Sequence, residues 1–312
     1  MLDTPIAFLI FNRPDVTERV FNAIAAARPK TLLVVADGPR PDRPGEAEKC
    51  RATRAIIDRV DWPCDVRTHF SEANLGCRRR VSSGLDWVFQ EVEEAIILED
   101  DILPEPTFFG YCQELLERYR NEPRIMQISG GNFQARGWKC SHSYYFSKIP
   151  HIWGWASWRR AWETYDVTLR DWPAMKAANW ITTICQDPLE AKLWTSHFDS
   201  VCTGGLDTWD FQWMFNIWKH GGLCVAPTVN LTSNIGFGPE ATHTTNPTVH
   251  ANMPTKPIGP LIHPPTIQRG VAEDDYEFEV VENGRFLRKA GRIDYRLRRL
   301  AGRTLRGLGL RR

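Results

Sequence analysis

The chain has 312 residues, 42% hydrophobic and 25% charged, a balance that excludes a disordered or fibrous protein and supplies a core for one large domain or two small ones. No run is long and apolar enough to cross a bilayer, and residues 1–11, with Asp3 and no basic segment, do not read as a secretory signal. The net charge of +1 hides an asymmetry: residues 285–312 carry eleven Lys/Arg against one acid, a net +10, so the rest carries −9, which argues against a nucleic-acid-binding body.

Residues 5–11 (PIAFLIF) form an apolar run expected to be a first buried strand. Asn12-Arg13-Pro14-Asp15 follows, with the proline marking a helix start, and apolar residues at 16, 20, 21 and 24 predict a helix to Ala27. Residues 31–36 (TLLVVA) predict a second strand ending in Asp37-Gly38-Pro39, then a proline-rich loop over 39–45. A helix over 46–60, a short strand over 65–70, a turn at Asn74-Leu75-Gly76 and a helix over 78–92 complete this stretch. Strands alternating with helices imply an α/β fold with a doubly wound, mostly parallel sheet. Such sheets bind ligands at the carboxyl ends of their strands. The eight cysteines are scattered with no Cys-x-x-Cys pair, which reads as reduced cytoplasmic thiols rather than a zinc site or disulfide scaffold.

The next apolar run, residues 95–98, leads straight into Glu99-Asp100-Asp101. Three adjacent carboxylates repel one another and are costly to desolvate, so a positive partner is expected there, a divalent cation with oxygen ligands. Polar residues thus mark three strand ends: Asn12 with Arg13, Asp37, and the three acids. Beyond them, residues 106–120 predict an amphipathic helix and 124–129 a strand. From Trp138 the composition changes, and eleven of the thirteen tryptophans lie between Trp138 and Trp218. Residues 144–146 predict a strand, 153–158 a loop leading into a helix through Trp162, 209–220 a helix, 223–226 a strand, and 234–265 a long loop. Trp158, Trp162, Trp213 and Trp218 fall at helical spacing and are expected in the core. Trp153, Trp155 and Trp209 are candidates for stacking on a sugar ring.

ILEDDILPEPTFFGYCQELLERY resembles the acid-motif region of the nucleotide-sugar glycosyltransferases of the GT-A fold, in particular the N-acetylglucosaminyltransferase I family. Five further segments resemble the same family in order: the first strand with Asn12-Arg13, VVADG at 34–38, Trp153-Gly154-Trp155, WDFQWM at 209–214 and SNIGFG at 233–238. The match covers about residues 5–245. It implies a GT-A-type domain over 1–265, with a nucleotide-binding half to 130 and an acceptor half from 131, followed by an extension over 266–312. It further implies that Asn12 belongs to the nucleotide-binding start, that Arg13 and Asp37 hold the base, Asp100 the ribose, Asp101 a Mn²⁺ or Mg²⁺ ion, and Glu99 the transferred sugar. Asn74-Leu75-Gly76-Cys77-Arg78-Arg79-Arg80 resembles a segment of family 2 glycosyltransferases but departs from their Ala-Arg-Asn continuation. That leaves open which arginine reaches the diphosphate, with Arg79 the candidate.

An inverting transfer needs a carboxylate on the face opposite the leaving diphosphate. Asp210 is the candidate base. The family carries two adjacent acids where this chain has Asp210-Phe211, so Asp207 remains a rival, and either acid also fits a helix N-cap. His243 is a candidate further metal ligand. In the tail, Ile293, Leu297, Leu300 and Leu308 share one helical face with arginines on the other, which predicts contact of 285–312 with an anionic membrane surface or with the acidic body. The expected activity is metal-dependent, inverting transfer of a sugar from a nucleotide-sugar donor, a UDP-sugar, to a hydroxyl of a glycan or lipid-linked acceptor. The expected setting is bacterial surface-glycan assembly in the cytoplasm, at the inner face of the membrane, with no nucleic-acid partner. A nucleotidyltransferase is the enzymatic alternative, but it calls for a glycine-rich basic loop straight after the first strand. An inactive carbohydrate-binding protein would keep the tryptophans without needing the acids.

Overall fold

A computed structural model describes residues 1–135, 137–238 and 250–291. The chain alternates β1 (Ile6–Ile10), α1 (Pro14–Ala27), β2 (Thr31–Ala36), α2 (Glu46–Ala55), β3 (Asp65–Phe70), α3 (Gly76–Glu91) and β4 (Glu94–Glu99). It continues with β5 (Ile102–Pro104), α4 (Thr107–Tyr119), β6 (Ile125–Ser129), β7 (Tyr144–Ser147) and β8 (Trp155–Trp158). Helices α5 (Arg159–Trp162), α6 (Trp172–Ala177), α7 (Ile181–Ile184), α8 (Pro188–Cys202) and α9 (Asp210–Lys219) follow. The last elements are β9 (Leu223–Pro227), β10 (Thr232–Asn234), α10 (Val271–Val280) and α11 (Gly284–Gly291).

Eight strands form one sheet in the order β3-β2-β1-β4-β8-β6-β9-β7. Strands β3, β2, β1 and β4 are mutually parallel; β8 runs against both β4 and β6; β9 is parallel to β6, and β7 antiparallel to β9. This is a mixed α/β fold built on one large, mostly parallel sheet. The two-residue strand period sorts its side chains between two cores. Ile6, Phe8, Ile10, Ile96 and Leu98 face α1 and α4, while Ala7, Leu9, Ala95 and Ile97 face α3 and the tryptophan-rich helices α5, α8 and α9. Helix α1 forms because Thr17, Val20, Phe21 and Ile24 make one buried stripe and Pro14 pre-sets its first turn. Burying each of Val20, Phe21 and Ile24 contributes roughly 1.5–3 kcal/mol.

The strand expectations over 31–36 and 65–70 coincide with β2 and β3. The stretch 153–158 does not: residues 155–158 are β8, inserted antiparallel between β4 and β6, and only Trp153-Gly154 is a turn. Gly154 is required there. Its φ is +74°, and a Cβ would lie 2.6 Å from Thr232 Cγ2. The segment after the acids is not a continuation of β4 either. Ile102–Pro104 leaves the main sheet and pairs antiparallel with β10, Asn234 opposite Ile102.

Residues 266–291 are tied to the body by buried charge. Asp274 accepts from Ser147 Oγ (2.6 Å) and pairs with Arg269; Glu277 meets His151 Nε2 (3.1 Å) and Tyr145 Oη (3.2 Å). Of the basic tail only 285–291 are described; they form α11 after its first residue, Gly284, and Phe286 is 52% exposed. Ile293, Leu297, Leu300 and Leu308 lie outside the described residues, as does His243.

Candidate active site

The register of the parallel strands builds the site. Leu9 of β1 lies opposite Glu99 of β4, and Ile10 opposite Ala36 of β2. The residues just past these tips, Phe11 and Arg13, Asp37, and Asp100 with Asp101, therefore emerge side by side. They line a cleft of about 700 Å³ whose other wall comes from Trp153, residues 206–211 and Asn234. A second depression of about 510 Å³, lined by Asp86, Gln90, Arg159 and Glu163 among others, gathers no comparable set; Asp86 there accepts from Trp162 Nε1 at 2.8 Å.

The expected positive partner of the acids is present within the chain. Arg13 Nη2 hydrogen-bonds Asp100 Oδ1 and stands 3.0 Å from Asp101 Oδ2. Asp100 Oδ2 accepts from the Phe11 amide at 3.2 Å. One guanidinium does not balance three carboxylates in a poorly solvated cleft. Burial, then the charges of Asp101 and Asp100, push the Glu99 carboxyl up to about 8, with Arg13 opposing. Burial raises Asp100 to about 6 against the lowering pull of Arg13. The inference that three acids force a bound cation is thus corrected in part: Arg13 supplies the first countercharge, and the excess of acid remains.

Asp37 lines the cleft, but its carboxylate is occupied. It accepts from the backbone N–H of Gly38 (2.8 Å), Leu75 (2.9 Å) and Gly76 (3.1 Å) and from Asn74 Nδ2 (3.0 Å). In this arrangement Asp37 fastens the turn before α3 rather than offering a free acceptor. Burial, partly offset by these bonds, raises its pKa. Asn12 lies outside the lining: its Nδ2 donates to Glu46 Oε1 (2.9 Å), which Arg40 also engages. Arg79 is exposed on α3 and outside the lining; its neighbour Arg80 faces the cleft but donates to the carbonyls of Ala36 (3.1 Å) and His69.

The two rival acids differ in their surroundings. Asp207, exposed, accepts from the Arg78 amide at 3.3 Å and so serves the first turn of α3. Asp210 opens α9, with Oδ1 accepting from Thr208 Oγ1 and from the Phe211 amide (3.0 Å). It is close enough to Glu99 to raise that carboxyl's pKa. His197 of α8 stacks on Phe211 with ring centroids 4.6 Å apart; burial lowers its pKa and the charge of Asp210 raises it. Cys77 sits among these acids: burial raises its thiol pKa, followed by Glu99, Asp210, Asp207 and Asp37, so a thiolate nucleophile is disfavoured.

Of the three tryptophans singled out, Trp153 lines the cleft and is half-buried, and Trp209 lines it while 2% exposed. Trp155 is core: it is 1% exposed and stacked on Trp209 at 5.6 Å, which removes it from the pocket wall. Phe11, Arg40, Cys77 and Leu206 line the cleft without having been singled out. Phe11 adjoins the tip of β1, Leu206 adjoins Asp207, and Arg40 lies three residues past Asp37; Cys77 lies two residues before Arg79, inside the Asn74–Arg80 segment.

No protein-family model and no curated protein matches the chain. Among solved structures, a 4-diphosphocytidyl-2C-methyl-D-erythritol synthase from Anaerococcus prevotii DSM 20548 is similar at TM-score 0.33 and 10% identity, covering 71% of this chain and 87% of that one. HddC from Yersinia pseudotuberculosis is similar at TM-score 0.32 and 10% identity, and its complex with GMP-PN at 0.31 and 8%, each covering 51% of this chain and 80% of that one. Likenesses at this level carry no argument, and the reading of function rests on the cleft.

Proposed function

We propose that the chain transfers a sugar from a nucleotide diphosphate donor, a UDP-sugar, to a hydroxyl acceptor. The observation that supports this is the gathering of Glu99, Asp100 and Asp101 with Asp210 in one cleft at the carboxyl ends of β1, β2 and β4. The donor chemistry suits a hard divalent cation, because the surplus ligands are carboxylate oxygens. Among the described residues no three His, Cys, Asp or Glu groups form a self-sufficient cage. A Mn²⁺ or Mg²⁺ ion takes one or two carboxylates and completes its shell with substrate phosphates and water. Asp101 would hold the ion, which when bound neutralises charge on the leaving diphosphate.

Asp210 takes the proton of the acceptor hydroxyl while that oxygen bonds to the anomeric carbon. The bond from that carbon to the diphosphate breaks, and the diphosphate leaves with the electron pair. Thr208 and the Phe211 amide hold the Asp210 carboxylate in one orientation, so little reorganisation is needed as the proton moves. Glu99 contacts the transferred sugar, and Asp100 the ribose once Arg13 releases it. Inversion follows from the family resemblance.

The test is a screen of nucleotide sugars with Mn²⁺, following hydrolysis and transfer by wild type and Asp101→Ala. Mn²⁺-dependent turnover that the variant lacks is expected. Absence of any nucleotide-diphosphate binding in Mn²⁺ would end the reading. The second reading, nucleotidyl transfer, lacks a glycine-rich loop after β1, where Phe11-Asn12-Arg13 leads directly into α1. Release of pyrophosphate from a nucleoside triphosphate and a sugar phosphate, without turnover of any nucleotide sugar, would move the assignment there.

Peripheral contact with anionic lipid through 285–312 belongs to the same proposal. It is supported by the +10 charge of that stretch and by exposed Phe286 beside Arg285. Co-sedimentation with phosphatidylglycerol vesicles, lost at high salt and absent with neutral phosphatidylcholine vesicles, is the expected result.

A further inference from the structure

Arg13 is held in a way that nucleotide contact alone does not explain. Its backbone is fixed: the Arg13 carbonyl accepts from Thr17 N (3.1 Å) and Thr17 Oγ1 (2.7 Å), and Pro14 opens α1 directly behind it. From this anchor the side chain crosses the strand tips to Asp100 and Asp101, and Nη1 reaches the Gly236 carbonyl at 3.5 Å. Gly236 closes the contact from above. A Cβ there would lie 2.1 Å from Asp101 Oδ2 and 2.6 Å from Arg13 Nη1, so only glycine admits this approach. The guanidinium and the Asp101 carboxylate are 19% and 12% exposed, so whatever binds Asp101 must separate an enclosed ion pair.

We propose that Arg13 is a built-in counter-cation that keeps a divalent ion off Asp101 until a nucleotide diphosphate draws the guanidinium away. The inference rests on the reading of the cleft given under Proposed function. In the ligand-free protein a cation approaching Asp101 meets the positive charge of Arg13 on the same oxygen, Oδ2. A guanidinium binds phosphate oxygens with the same planar fork that it offers a carboxylate. A diphosphate in the cleft therefore gives Arg13 an equivalent partner and leaves the Asp101 carboxylate open. Arg13 couples the two ligands positively, and the coupling is reciprocal: each tightens the other by the same factor. Because the Arg13 backbone is pinned, the switch is a side-chain rotation and needs no movement of β1 or α1.

The test titrates Mn²⁺, followed by electron paramagnetic resonance of the free ion, into wild type, Arg13→Gln and Arg13→Lys without nucleotide, then with UDP. Wild type is expected to bind Mn²⁺ weakly alone and about tenfold or more tightly with UDP. Arg13→Gln is expected to bind Mn²⁺ alone at least about tenfold more tightly than wild type and to lose most of the UDP effect. Arg13→Lys, which keeps the charge, is expected to stay weak. Unchanged or weaker nucleotide-free Mn²⁺ binding in a folded Arg13→Gln, checked by thermal melting, overturns the proposal. So does tight Mn²⁺ binding by wild type alone. Failure of UDP to bind any of the three proteins counts instead against the nucleotide-diphosphate reading, because the nucleotide-free arm is independent of it.

Discussion

Replacing Asp210 by asparagine is expected to lower kcat by about a thousandfold while leaving Mn²⁺-dependent UDP binding unchanged. Asparagine keeps a carbonyl oxygen for Thr208 Oγ1 and the Phe211 amide, so the start of α9 and the cleft wall are preserved. What is lost is the proton acceptor. The matching substitution Asp207→Asn is expected to change kcat less than about threefold, since Asp207 faces the first turn of α3 and its bond to the Arg78 amide survives in the amide. Steady-state kinetics and UDP binding by calorimetry on both variants decide the matter. A large kcat loss in Asp207→Asn with Asp210→Asn near wild type would transfer the base role to Asp207. Equal loss of UDP binding in Asp210→Asn would make Asp210 a structural residue of the donor site.

The parts of this fold that were legible in the sequence are those in which local pattern and tertiary environment agree. β2 and β3 lie where a short apolar or β-prone run meets a turn signal, and α1 where a buried stripe follows a proline. The acids were legible as a site because a buried strand ends in them, and the parallel register does the rest. β8 was not legible. Its four residues are all buried, with Trp155 in one core and Trp158 in the other, so neither strand alternation nor a polar boundary marks them. Only the gap between β4 and β6 makes them a strand. Nor were the partners of the polar residues legible. Arg13 meets Asp100 across 87 residues, and Leu75 reaches Asp37 across 38. Helix α10 hides the same problem: nothing in its acidic sequence marks Asp274 and Glu277 for burial, yet each is 1% exposed because Ser147, Arg269, His151 and Tyr145 partner them.

Glu99→Gln is expected to stabilise the protein while lowering kcat by at least about a hundredfold, the trade expected where a site is built from unfavourable charge. The sign follows from the proton balance. An unfolded-state glutamate loses its proton near 4.5, whereas burial and the charges of Asp101 and Asp100 hold the folded-state carboxyl to about 8. Between these values the native state binds more protons than the unfolded state, so stability falls as pH rises through that window. Asp100, raised by burial to about 6, adds a smaller fall of the same sign. Glutamine has the shape of the protonated acid and does not titrate. Near pH 8 it should therefore recover on the order of 1–3 kcal/mol, a rise in Tm of a few degrees for a chain of this size. At about pH 4.5 or below the two melting points should converge, because wild-type Glu99 is then protonated in both states. Melting curves at a series of pH values test this without substrate. A gap in Tm that stays constant with pH would mean that glutamine merely packs better. A gap that widens with pH would show that the repulsion among Glu99, Asp100 and Asp101 costs the fold stability.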